Sequence, residues 1–310
     1  IGVDAAALAR TSACTTFVDA GTAGPANMMG FRKHVIEPSP VRILPYMNVS
    51  FAGIFAFGAV MLGECTDMRL LDLQEWVRVA KEHRDLVLGI KVRVGRSASD
   101  TSGVKPLDIA LDVAEEVGLP VMAHLDAPPP SRREVVDRLR PGDILTHCFR
   151  PFPNCPAGPD GRVLDCVLEA RSRGVIFDIG HGMGSFSFAI ARTMLANGFP
   201  PDCISSDVHA LCIEGPAFDL LTTMSKFLCL GMPLAEVVRR ATLEPAKALG
   251  RTDIGSLKPG SAGDASILSL DEGRFGYVDS TGEALEGALR LSAAGVVLGG
   301  AHHGAGRRKG

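Results

Sequence analysis

Apolar and polar positions along the chain fall into two alternating textures. Short runs dominated by apolar residues read as strands: TTFVDA (15–20), RILPYMNV (42–49), LVLGIKVRV (86–94), LPVMAHL (119–125), GDILTHCF (142–149), GVIFDIGH (174–181) and DCISSD (202–207). Between them lie stretches with helical spacing of apolar positions: LDLQEWVRVAKEHR (71–84), KPLDIALDVAEEVG (105–118), SRREVVDRLR (131–140), VLDCVLEARSRG (163–174) and SFSFAIARTMLANG (185–198). Parallel strands cannot be joined by tight hairpins, so the alternation predicts a parallel sheet with crossover helices. The strands are apolar on both faces, as expected with helices outside and packed side chains inside.

Such a pattern fits an open doubly wound sheet or a (β/α)8 barrel. No G-x-G-x-x-G or Walker-type glycine loop follows any strand, which weakens the nucleotide-binding sheet. Asp19, Lys91, His124, His147, His181 and Asp207 all fall at or near the carboxyl ends of different strands. In a barrel those ends converge on one mouth, where active sites are built. Seven strands follow the helical run DAAALARTSA (4–13), and the chain opens on Ile1 rather than Met. The expectation is a (β/α)8 TIM barrel over residues 1–252 that lacks its first strand, which would lie upstream. Helices are predicted near 217–230 and 233–249. From Asp253 the texture turns to glycine-rich turns and short strands, so 253–310 is expected to be the C-terminal part of a small β-sandwich.

Charge and composition narrow the partners. Lys and Arg total 32 against 35 acidic residues, a net charge of −3, so nothing favours nucleic acid or an anionic membrane. The one basic cluster, Arg307-Arg308-Lys309, reads as a solvated tail. The uncharged run 43–63 has the length of a membrane span, but Pro45, Asn48, Ser50, Gly53, Gly58 and Gly63 interrupt it. Eight cysteines without a Cys-x-x-Cys pair are expected to be reduced thiols in a cytoplasmic protein. A small-molecule substrate is the expected partner, with homo-oligomerisation left open.

Lys91 sits in the apolar strand GIKVR, where a charged amine is costly to bury. It fits a snorkelling side chain, a Schiff-base lysine attacking a carbonyl, or a lysine carboxylated by CO₂ to a metal-bridging carbamate. His124 in VMAHL and His147 in ILTHCF lie on successive strands and suit a divalent ion such as zinc. Asp207 closes ISSD, where a buried aspartate needs a metal or a histidine partner, and His209 stands just behind it. Arg93 shares the face of Lys91, two residues away, and fits a substrate carboxylate or a salt bridge with a helix. His181 follows the sixth of these strands in DIGHG, as a substrate or oxyanion donor or a turn residue. Asp178 and His209 are weaker candidates around the same centre.

In this order and spacing the motifs resemble the amidohydrolase superfamily, in its dihydroorotase-like amidohydrolase/deacetylase branch. They are TTFVDAGTAGPANMMGFR (15–32), GIKVR (89–93), AHLDAPP (123–129), GDILTHCF (142–149), FDIGHG (177–182), ISSD (204–207), TTMSKFLCLGMPLAEVVRRATLEPAKALG (222–250) and DIGSLKPGSAGDASIL (253–268). The resemblance implies that Lys91 is the carboxylated lysine bridging two Zn²⁺ ions. It also implies that His124 and His147 hold one metal, and that Asp207 binds the other and shuttles the proton. It further implies a His-x-His pair on the first barrel strand, which this sequence lacks; His34, His83, His302 and His303 have no such setting. The implied activity is a metal-dependent hydrolase whose metal-bridging hydroxide cleaves an amide or ester, removing an acetyl or other acyl group from a small carboxylate-bearing molecule. Dihydroorotase-type opening of a cyclic amide and aminopurine deamination are alternatives of the same class. A Schiff-base lyase at Lys91 and a non-catalytic barrel scaffold are alternatives of other classes.

Overall fold

The computed structural model describes residues 2–56 and 62–306. Helix α1 (Ala5–Ser12) starts at Asp4, whose carboxylate accepts the amides of Ala6 and Ala7. Then come β1 (Thr16–Ala20) and α2 (Met28–Phe31), which runs into a π-helical turn at Arg32–Ile36. They are followed by β2 (Arg42–Asn48), α3 (Leu73–Glu82), β3 (Gly89–Val94), α4 (Lys105–Val117), β4 (Val121–Leu125) and α5 (Arg132–Val136). The unit continues through β5 (Ile144–Leu145), α6 (Asp165–Ser172), β6 (Ile176–Phe177) and α7 (Phe188–Ala196). β1 to β6 pair in chain order, every pair parallel, so the strands curve side by side with their carboxyl ends at one mouth.

Local chemistry explains where the helices begin and end. Asp72 caps α3 by accepting the Glu75 amide, and Ser131 with Glu134 forms a reciprocal capping box on α5. Pro106 stands in the first turn of α4, and Gly118 ends it in the left-handed conformation. α3 turns Trp76, Val77, Val79 and Ala80 inward. Trp76 is fully buried and its indole N–H donates to the Asn48 carbonyl at 2.9 Å, so this large ring enters the core with its polar atom satisfied.

Three elements differ from expectation. The seventh predicted strand, 202–207, contracts to a single parallel bridge between Asp178 and Cys203. Pro200 and Pro201 bring no amide to it, and Asp207 turns the chain with φ +46°. The helix predicted over 233–249 is two helices, α9 (Leu234–Ala241) and α10 (Leu243–Ala248), which follow α8 (Leu220–Cys229). Pro245 cannot donate to the carbonyl of Ala241, and the chain kinks at Thr242.

The C-terminal strands are long rather than short. β7 (Ala265–Val278) and β8 (Ala284–Leu298) form an antiparallel hairpin, with β9 (Ala301–Gly304) on its edge. β8 packs on α8 and α1, and the Asp279 carboxylate accepts the Phe188 amide, tying the hairpin turn to α7. The basic triplet 307–309 lies outside the described residues, as does part of the uncharged run 43–63. Among the described residues no helix is long and apolar enough to cross a membrane.

Candidate active site

Register within the sheet sets the first part of the site. Lys91 stands between Asn48 of β2 and Met122 of β4, while Arg93 stands opposite His124. Lys91 is only 3% exposed. Burial pushes its amine down to about 8; Asp207 opposes this, Arg93 reinforces it, and Asp178 and Glu64 oppose it further. Among the described residues its Nζ has no hydrogen-bond or ion-pair partner.

His124 is the penultimate residue of β4, and His147 lies two residues past β5. Their rings meet edge to face with centroids 4.5 Å apart. The Nδ1–H of His147 donates to the Gly180 carbonyl at 2.6 Å, which leaves its Nε2 as a lone pair. The Nε2 of His124 is buried without a hydrogen-bond partner, and the Asp126 carboxylate lies 3.8 Å away. Burial, followed by neighbouring positive charges on His124 and by His124 and Lys91 on His147, holds both imidazoles well below their usual range, hence neutral. This donor chemistry fits a divalent cation: one orphaned ring nitrogen, and one ring whose second nitrogen is held by a carbonyl.

Asp207 is open to solvent at the mouth, although protein packs closely round it. That packing raises its carboxyl to about 6, against the pull of Lys91 and Arg93 and with the help of Asp178. His147 and Asp207 share an uncommon backbone, at φ +64° and +46°. Left-handed conformations cost a non-glycine residue roughly 1–2 kcal/mol, and such strain concentrates at functional positions. Two glycines make room for them. A Cβ on Gly180 would lie 2.8 Å from His147 Nδ1, and one on Gly182 would lie 2.6 Å from Asp207 Oδ2. Asp178 is engaged rather than open: its Oδ2 accepts from Thr146 Oγ1 at 2.7 Å and Ser205 Oγ at 2.9 Å.

Two of the expected substrate-binding residues have protein partners. His181 is fully buried with both ring nitrogens engaged. Nδ1–H donates to the Gly182 carbonyl at 2.9 Å, and Nε2 accepts from Lys226 Nζ at 2.7 Å. Arg93 has the alternative expected of it, a salt bridge: its guanidinium pairs at 3.2 Å with Glu64, both side chains buried. Glu64 lies in the loop after β2, not on a helix. His209 accepts the Leu211 amide at Nδ1. His34 stands in the π-helical turn, His83 ends α3, and His302 and His303 lie on β9, so none joins the pair. Sequence reasoning missed Glu64, Asp126, Arg150 and Lys226. Of these only Lys226 left a signal, a charge on the inward face of an apolar helix.

Comparison with known proteins follows this geometry. A deacetylase from Enterococcus faecalis is 32% identical over 272 residues, covering 86% of this chain and 72% of its own length. A crystal structure of a dihydroorotase superposes with a TM-score of 0.87 at 32% identity, covering 94% of this chain and 76% of that one. The amidohydrolase family model matches residues 183–298. The chain belongs to the amidohydrolase superfamily. A second amidohydrolase structure, of an adenine deaminase, gives a TM-score of 0.90 at 30% identity over 94% of this chain and 79% of that one. A deacetylase from Agrobacterium fabrum is 35% identical over 269 residues, 87% of this chain, and the chain spans 66% of that relative's length. The six-stranded parallel sheet with its outer helices is thus an amidohydrolase TIM-barrel sheet, carrying a C-terminal antiparallel sheet.

Proposed function

We propose that this protein is a metal-dependent hydrolase that removes an acyl group, acetyl being the simplest, from a small carboxylate-bearing amide or ester. The observation that carries this reading is the His124–His147 pair, two neutral imidazoles at one mouth with a buried, unpartnered ring nitrogen. The deacetylase names of the relatives support acyl removal over the cyclic-amide opening or deamination named for the structural neighbours.

Among the described residues no three His, Cys, Asp or Glu side chains gather closely enough to hold an ion, so a further donor must be of another kind. Lys91 qualifies, because its lowered amine can add CO₂ with loss of a proton and become a carboxylate. His124 and His147 with carboxylated Lys91 would then hold one ion, and Asp207 would take part in holding a second. When bound, such a cation supplies Lewis acidity and a nucleophile at neutral pH. Asp207, with its carboxyl near 6, suits a base that takes a proton from the attacking water and returns it to the leaving nitrogen or oxygen. Gly180 keeps His147 in the tautomer a ligand needs, and Thr146 with Ser205 keeps Asp178 from competing for the proton.

Metal analysis combined with a screen of N-acetyl and O-acetyl substrates tests this. Bound divalent ion is expected, with hydrolysis lost on chelation and restored by metal and bicarbonate. Turnover indifferent to chelators, or covalent trapping of Lys91 by borohydride with a carbonyl substrate, would overturn it in favour of Schiff-base chemistry.

A further inference from the structure

We infer that Arg150 forms a carboxylate-binding subsite beside the two imidazoles and receives the anionic end of the substrate. This rests on the hydrolase reading above and replaces Arg93 in the part first expected of it.

Arg150 lies three residues beyond His147, and its amide donates to the His147 carbonyl at 3.2 Å. Its Nη1 donates to the carbonyl of Leu125, the residue after His124. The guanidinium is thereby tied to the end of β4 and the turn after β5, the segments that carry His124 and His147. Its charge contributes to lowering the basicity of each of them.

What remains of the guanidinium is unused. Nε is buried without an acceptor. Among the described residues no carboxylate lies within ion-pair distance of Arg150; Asp126 acts on it from farther away and spends its Oδ1 on the Ser97 amide. With Nη1 occupied, the edge left without an acceptor is Nε–H with Nη2–H, the fork that takes a carboxylate through two parallel hydrogen bonds. Arg93, Arg140 and Arg171 each have a carboxylate partner, in Glu64, Asp143 and Asp202, whereas Arg132, also without one, is spent on Asn154 away from the imidazoles.

An unpaired cation beside a proposed cation site is also an electrostatic cost. It opposes the charge the imidazoles would hold, a cost that an anion beyond Asp126 would relieve further. A substrate carboxylate on the Nε–Nη2 edge provides that anion, and it leaves the acyl bond at the imidazoles. Glu64 has already closed Arg93, so the two arginines differ: one is paired with a carboxylate and the other is left without one.

Calorimetric titration with N-acetylglycine and with N-acetylglycinamide separates these roles, using protein with its metal content measured and again after chelation. The wild type is expected to bind the carboxylate about tenfold to a hundredfold more tightly than the amide, the range of a charge-assisted hydrogen-bonded pair. Arg150→Gln keeps a donor for the Leu125 carbonyl but no charge, and is expected to abolish the preference with amide binding and metal content unchanged. Arg150→Lys keeps the charge without the fork and should retain part of the preference. Equal affinity for both probes in the wild type, binding of neither, a Gln variant that keeps the preference, or a folded Gln variant that loses both probes equally would each overturn the subsite. If Arg150→Gln does not fold, Arg150→Lys decides, and an undiminished preference there would refute the bidentate fork. The hydrolase reading fails separately. Arg150-dependent carboxylate binding without metal or hydrolysis would leave the subsite standing alone. Hydrolysis without carboxylate preference would sink only the subsite.

Discussion

Lys226 Nζ donates to His181 Nε2 at 2.7 Å, and neither residue has any exposed surface. The same nitrogen donates to the carbonyls of Pro216 and Val278, both at 2.8 Å, so three acceptors meet the three protons of an ammonium. One side chain thus joins α8, the segment after Asp207, the end of β7 and the turn after β6. His181 and Gly182 continue the link, their amides donating to the carbonyls of Ser205 and Ser206 just ahead of Asp207. The hairpin and the segment that carries Asp207 are connected through this lysine.

Burial nevertheless pushes Lys226 down to about 7, with Asp279 and Asp219 pulling the other way. Its unfolded value is the ordinary 10.5. Between about 7 and 10.5 the unfolded chain therefore binds more protons, and the contribution of this group to stability rises with pH. Lys91 acts with the same sign from about 8, while buried thiols such as Cys14, raised to about 11, act oppositely above 9. Only a difference isolates Lys226. Urea unfolding of wild type and Lys226→Met at several pH values should give slopes that differ by up to one proton, at most about 1.4 kcal/mol per pH unit. Identical slopes would mean that Lys226 keeps its ordinary basicity inside the fold.

Gly182 is the tightest control on Asp207. Its φ of +52° and the 2.6 Å approach of an added Cβ to Asp207 Oδ2 act together in Gly182→Ala. The backbone penalty should cost roughly 1–2 kcal/mol of stability. The carboxylate can rotate away, so the larger effect is expected on kcat, with KM little changed. Thermal melts and steady-state kinetics measured on one preparation check both parts. A variant with wild-type kcat would show that the carboxylate needs no fixed position.

The barrel was legible because period carried it, and position placed Lys91, His124, His147 and Asp207 at or near the carboxyl ends of its strands. Apolar runs separated by helical spacing can only become parallel strands with crossovers, and polar residues at their carboxyl ends must then share one mouth. Partner choice was not legible. Arg93 and Arg150 look alike in sequence, and only the loop that delivers Glu64 separates them. His181 looked like a donor because DIGHG follows a strand, yet a lysine 45 positions away takes its free nitrogen. The seventh strand was overread, because apolar texture does not reveal that Asp207 leaves the extended region. Long-range side-chain partners and positive φ at non-glycine residues have no local sequence signal.

Asp207→Asn keeps the size of the side chain and removes the carboxylate proposed as the base. Proton transfer matters in the transition state and little in substrate binding, so kcat should fall by about 10²–10⁴ while KM stays within a few-fold. Initial rates across substrate concentration decide this. A raised KM with kcat intact would make Asp207 a substrate-binding group.

Lys91 offers the sharpest separation of chemistry from stability. Burial of an amine with no partner among the described residues is unfavourable, so Lys91→Met, which fills the space without charge, is expected to fold at least as stably as wild type and to be inactive. Lys91→Ala should be equally inactive but leaves room beside the imidazoles. Short-chain carboxylic acids such as acetate or propionate, supplied with divalent metal, should restore part of its turnover by standing where the carbamate would. They should do nothing for Lys91→Met, whose side chain occupies the space. Bicarbonate should help the wild type after chelation and neither variant, since neither has an amine to carboxylate at that position. Turnover of each variant with and without the acid, read beside its melting temperature, tests the whole chain of reasoning. Near wild-type activity in unsupplemented Lys91→Ala would remove the lysine from the mechanism, and rescue of the Met variant would show that the acid acts somewhere else.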